Sequence, residues 1–134
     1  MRWHDFEVAG ETYHFCMNGA ALFDLYDRFG DKDPILSHIE GQTRRAFDAT
    51  CFMLAKLAEQ GELVRRFQGH KPEKIPTEAW FRTNLAPLDV SAAKMTVQAV
   101  VRLGFKREEP DEDETDADGV DLGLQELEKK TAKA

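Results

Sequence analysis

Apolar residues recur along this chain with two periods, one helical and one of strand type. From Thr43 to Gln68, Phe47, Cys51, Leu54 and Ala58 return at intervals of four, three and four, with Ala46, Thr50 and Leu57 beside them. One side of a helix there is continuously apolar and needs cover. Arg44, Arg45, Asp48, Lys56 and Glu59 fall mostly on the other side, and Thr43 is placed to cap the N-terminus. Gly61 weakens a helix interior by roughly 1 kcal/mol relative to Ala, so the pattern predicts a helix over 43–60, a break, and a short helix over 62–68 carrying Leu63, Val64 and Phe67.

The strand-type period comes first in the chain. Residues 3–17, WHDFEVAGETYHFCM, form two aromatic and β-branched runs around Ala9, Gly10 and Glu11, a β-hairpin pattern with Gly10 in the turn. Phe6 and Val8 alternate with Asp5 and Glu7 on the first arm; Tyr13, Phe15 and Met17 alternate with Thr12, His14 and Cys16 on the second. A lone hairpin is marginal in water, so this one leans on helices or pairs with another chain. Asn18 then precedes a helix over 19–29, with Leu22, Leu25, Tyr26 and Phe29 on one face and Gly30 at its C-terminal stop. Asp33 and Pro34 read as cap and first residue of a short helix over 34–40. Residues 69–76, GHKPEKIP, have loop composition. Thr77 caps a helix over 78–85 with Trp80, Phe81 and Leu85, and Asp89 caps a last helix over 90–103 striped by Val90, Ala93, Val97, Val100 and Val101. Gly104 closes that helix, with Phe105 folding back onto its last turn. The fold class this predicts is mainly α (α+β): an N-terminal hairpin and a small bundle of about four to five helices.

With 134 residues, 42% of them hydrophobic, the chain can bury one modest core without disulfides or metal. The net charge of -7 is unevenly spread. Residues 1–107 hold 15 Lys/Arg and 14 Asp/Glu, whereas residues 108–134 hold 3 and 11. A near-neutral globular domain over 1–107 is therefore expected to precede an acidic, mostly disordered tail over 108–134, in which nine of the fourteen residues from Glu108 to Asp121 are acidic. Beyond that run Val120, Leu122, Leu124 and Leu127 make an amphipathic pattern too short to be stable alone, which folds only on a partner. Such a charge layout argues against nucleic acid as a partner. No apolar run approaches the roughly 20 residues that span a bilayer, and with two cysteines, no CxxC and a charged start the chain reads as a cytoplasmic protein.

Candidate chemistry is sparse. His4, His14, His38 and His70 are scattered, without the spacing of a zinc site, so no metal is expected. Cys51 lies on the apolar stripe, where a thiol acts as a small hydrophobe. Asp24 and Asp27 read as solvation of a surface helix. GxxxxGK[ST], GxGxxG, GxSxG and HExxH do not occur. The expectation is a protein without catalytic residues or cofactors. The acidic tail reads either as a solubilising segment or as an arm for a basic partner, and Trp80 and Phe81 either as core or as interface anchors.

The order of parts resembles the tail assembly chaperones of long-tailed bacteriophages: the hairpin WHDFEVAGETYHFCM, the helix NGAALFDLYDRFG, the helix TRRAFDATCFMLAKLAEQG, the segment PLDVSAAKMTVQAVVRLGF and the acidic end. The resemblance covers about residues 3–105. It implies a mainly helical, non-enzymatic protein of the host bacterial cytoplasm that binds the tape measure protein and the tail tube protein during tail assembly and is absent from the mature virion. In many such phages a longer form arises by ribosomal frameshifting. A partner helix would be held in a hydrophobic groove, for which Leu22, Tyr26, Phe29, Trp80 and Phe81 are the candidate lining. Self-association through apolar faces or the hairpin edge is also expected. The competing reading is an acidic adaptor that binds and regulates a basic protein.

Overall fold

The structure, a computed structural model, describes residues 1–106. The acidic tail expected over 108–134 lies outside the described residues. An antiparallel hairpin, β1 (His4–Val8) and β2 (Glu11–Phe15), leads into α1 (Gly19–Phe29), a 3-10 helix over Ile35–Ile39, α2 (Arg44–Phe67), α3 (Glu78–Asn84) and α4 (Asp89–Gly104). This is the expected architecture: a two-stranded hairpin followed by four α-helices.

The hairpin register pairs Phe6 with Tyr13 and His4 with Phe15, so the aromatic side chains share one face and Asp5, Glu7, Thr12 and His14 the other. Ala9 (φ 55) and Gly10 (φ 82) are both left-handed, the two-residue turn whose twist matches that of the strands it joins. Val8 and Phe15 are buried, and Phe6 and Tyr13 pack against the core. The hairpin leans on the helices: β2 lies against α2, and β1 against α4.

Helix α2 is the axis of the fold, in contact with β2, α1, the 3-10 helix, α3 and α4. Its N-terminus is capped by the Thr43 hydroxyl, which accepts from the Ala46 amide at 3.0 Å. Cys51, Met53, Leu54 and Leu57 are fully buried on it. Contrary to the predicted break, α2 runs without interruption through Gly61 to Phe67. A Cβ at Gly61 would lie 2.1 Å from the His14 carbonyl oxygen and 2.6 Å from the Phe15 nitrogen. Glycine is present there because the end of β2 crosses the helix at backbone contact, and the Cys16 amide donates to the Leu57 carbonyl at 3.0 Å. Sequence periodicity reads that glycine as a helix breaker because the strand it accommodates ends 46 residues away, at Phe15.

Gly104 has the same explanation. It is the last residue of α4 and not a left-handed stop; a Cβ there would lie 2.3 Å from Met17 Cβ and 2.6 Å from Met17 O. Segment 14–17 is thus approached by two helices, each at a glycine. Phe105 does not fold back to close the helix: it is 62% exposed.

Two caps also differ from expectation. Asp33 caps nothing: residues 35–39 form a 3-10 turn with no side-chain cap, tied instead by the Ser37 hydroxyl donating to Pro34 O at 2.6 Å. Asp89 is the first residue of α4 itself, and its carboxylate accepts from the Ala86 amide at 3.1 Å, bracing the turn after Pro87's predecessor. Asn18 and Thr77 cap α1 and α3 as their positions predict.

Candidate functional site

Among the described residues, two places gather side chains that could act on something else. One is apolar and open, the other polar and tied inward.

The open one is a groove of about 690 Å³ between the C-terminal end of α1, the turn that follows it and the C-terminal end of α4. Its walls are Tyr26 from α1, Pro34, Ile35 and Leu36 from the start of the 3-10 helix, and Val101 and Phe105 from the end of α4. Local sequence builds it. Gly30, with φ 83, donates its amide to Tyr26 O at 2.7 Å and turns the chain off α1, and Pro34 sends it into the tight turn that carries Ile35 and Leu36. Ile35 and Leu36 are half-buried and Phe105 is largely exposed, so apolar surface faces solvent. Lys32, Arg102 and Lys106 stand on the rim against Asp31 and Asp33, a net positive setting. The volume lies in the range of ligand-sized clefts.

Of the five residues expected to line a partner groove, only Tyr26 does so here. Phe81 is fully buried in the core, with its ring edge-on to Tyr13 at 5.8 Å. Trp80 points elsewhere, as adjacent helical positions must, and rests half-buried on Tyr13 (5.5 Å) and Phe81 (5.3 Å). Phe29 stacks on His38 at 4.8 Å and meets Phe52 edge-on, while Leu22 packs partly buried against the core. Ile35, Leu36, Val101 and Phe105 escaped sequence reasoning because the groove joins the ends of elements 65 to 70 residues apart. An apolar residue placed beyond a terminal glycine, as Phe105 is, was the one local sign.

The polar cluster lies where the end of α2, the hairpin and residues 69–76 meet. Glu62, with only 3% of its side chain exposed, accepts from Arg65 Nη1 at 2.6 Å, Arg66 Nε at 2.9 Å and the Glu73 amide at 2.7 Å. Burial favours the protonated acid, but these donors outweigh it and hold the Glu62 carboxyl below the usual range. Arg65 and Arg66 in turn donate to the carbonyls of Lys71 and Glu73, so the loop is fastened to the helix through its backbone. His14 faces a carboxylate with each ring nitrogen: Asp5 across the hairpin at 2.6 Å and Glu73 at 2.8 Å. Burial opposes the charged ring, but the hydrogen bonds to Asp5 and Glu73 prevail over it and over Arg65, and the His14 pKa is raised.

His14, Glu62 and Glu73 bring one potential metal-ligating atom each to within 4.8 Å of one another, a juxtaposition invisible in a sequence where they stand 48 and 11 positions apart. Their commitments favour a different role. Glu62 is saturated by two guanidinium groups and an amide, and His14 is held between two anions that favour its protonated, non-ligating form. The cluster acts as a fastener of the loop.

Cys16 and Cys51 are buried and form no disulfide. Burial pushes the Cys51 thiol up to about 11, with Arg82 opposing and Asp48 and Glu78 reinforcing the shift, so the group stays a neutral thiol at physiological pH. Among the described residues no helix is long and apolar enough to cross a membrane. Comparison of the chain with protein-family models, with curated proteins and with solved structures gives no match.

Proposed function

We propose that this chain is a non-catalytic chaperone of bacteriophage tail assembly that binds the tape measure protein, and with it the tail tube protein, in the host cytoplasm. The observation that supports this reading is the open apolar groove with its net positive rim. A long helical partner exposes an apolar stripe until it is enclosed, and a groove of this kind covers anchors at i, i+4 and i+7 reversibly. The resemblance of the hairpin and helices to that family supplies the identity of the partner.

Calorimetric titration of the full chain with an amphipathic helical segment of the tape measure protein tests the reading. Tyr26→Ala and Phe105→Ala should each weaken binding by about 2 kcal/mol, roughly thirtyfold, if these side chains are hot spots. Phe105 is exposed, so its loss leaves the thermal midpoint unchanged. Parent-like affinity in both variants, combined with loss of binding on truncation at Arg107, would instead make the acidic segment the binding element and favour the adaptor reading.

A further inference from the structure

We propose that the groove between α1 and α4 has an occupant within the same chain, the segment from Val120 to Leu127. The last described residue, Lys106, is itself part of the groove wall, so the chain leaves the described fold at the groove. Twenty-eight residues follow it. Among them Val, Leu, Ile, Met and aromatic side chains occur only as Val120, Leu122, Leu124 and Leu127. Val120, Leu124 and Leu127 stand at i, i+4 and i+7, the spacing with which one helical face fills an apolar groove. The thirteen residues 107–119 can reach roughly 45 Å when extended, far more than a return to the groove requires.

Charge favours the same occupant. The connecting stretch carries eight acidic residues between Glu108 and Asp118, and Asp121 follows within the segment. It would pass the rim where Lys32, Arg102 and Lys106 outnumber Asp31 and Asp33. Tethering matters because a segment joined by a short connection faces its site at an effective concentration in the millimolar range, so even a weak apolar contact is populated. An outside helix must then displace the segment. This inference rests on the groove and the chain that leaves it, and not on the identity of any outside partner.

The test uses the full chain with a nitroxide attached at Gln125→Cys; Cys16 and Cys51 are 2% and 0% exposed and are shielded from the reagent. Amide signals of Tyr26, Ile35, Leu36 and Arg102 should be lost or strongly broadened. Those of Ala9 and Gly10, which pack against the opposite end of α4, should persist. Introducing Leu124→Asp into the labelled chain should restore the groove signals, and because position 124 is outside the described fold, the remaining spectrum reports whether that fold is intact. Groove signals unaffected by the label, or broadening that survives Leu124→Asp, would overturn the proposal. So would broadening that appears only between labelled and unlabelled copies in a mixed sample, since that outcome assigns the groove to a second molecule. Failure of the tape measure protein to bind even when Leu124→Asp has cleared the groove, with the intramolecular broadening present in the parent, would remove the chaperone reading and leave this one standing.

Discussion

Replacing Gly61 by alanine should destabilise the protein, although the substitution improves helix propensity. In an exposed helix interior Gly→Ala gains about 1 kcal/mol. Here the new Cβ starts 2.1 Å from the His14 carbonyl oxygen and reaches ordinary van der Waals contact at 3.4 Å, so strand and helix must separate by 1.3 Å (3.4 minus 2.1). The obstacles, His14 O and C and Phe15 N, are backbone atoms that no rotamer change can move aside. Separation of that size breaks the 3.0 Å bond from the Cys16 amide to Leu57 O, worth about 1 kcal/mol, and disturbs packing around fully buried Phe15 at about 1 to 3 kcal/mol. After the propensity gain, a net loss of about 1 to 3 kcal/mol remains, a fall in thermal midpoint of roughly 5 to 20 °C for a domain of this size. Far-UV circular dichroism during heating measures it. Gly19→Ala is the internal control, because a Cβ there meets nothing within 4 Å. A Gly61→Ala protein that melts at or above the parent temperature would refute the close approach of β2 and restore the view of Gly61 as a simple helix weakener.

Two further outcomes follow from the polar cluster. Glu62→Gln should cost about 3 kcal/mol in urea denaturation, because it strips the counter-charge from Arg65, whose side chain is 10% exposed; the value sits at the low end for a broken buried pair since Arg65 keeps Lys71 O and Glu73. A loss under about 1 kcal/mol would show that the fastener is not needed. His14 adds a pH dependence of definite sign: its folded pKa is raised above the ordinary value near 6.5, so its contribution is complete below that pH and is lost as pH rises through the folded value. Glu62, lowered in the fold, acts oppositely, and its contribution disappears only as pH falls below the carboxylate range. Urea midpoints across pH 6 to 9 should therefore decline in the parent more than in His14→Gln, and parallel profiles would contradict the double carboxylate pairing of His14.

Local patterns in the chain determined much of this protein. Period-two alternation and a two-residue turn specify the hairpin, and four-three spacing with Asn18, Thr43 and Thr77 specifies where three of the helices begin, because capping and amphipathicity act over a few residues. The burial of Cys51 also followed from its position on an apolar stripe. Tertiary structure decided what the glycines mean. Gly61 and Gly104 carry the appearance of stops but are contact points for segment 14–17, and a steric constraint supplied by a distant strand leaves no mark on local periodicity. The same physical reason separates Phe81 from Trp80: a helix turns about 100° per residue, so of two adjacent aromatics the core fully receives one, here Phe81, while Trp80 stays half-buried although both rings meet Tyr13. It also explains the site. A groove made from the ends of α1 and α4, and a fastener made from His14, Glu62 and Glu73, exist only once the chain has brought remote positions together.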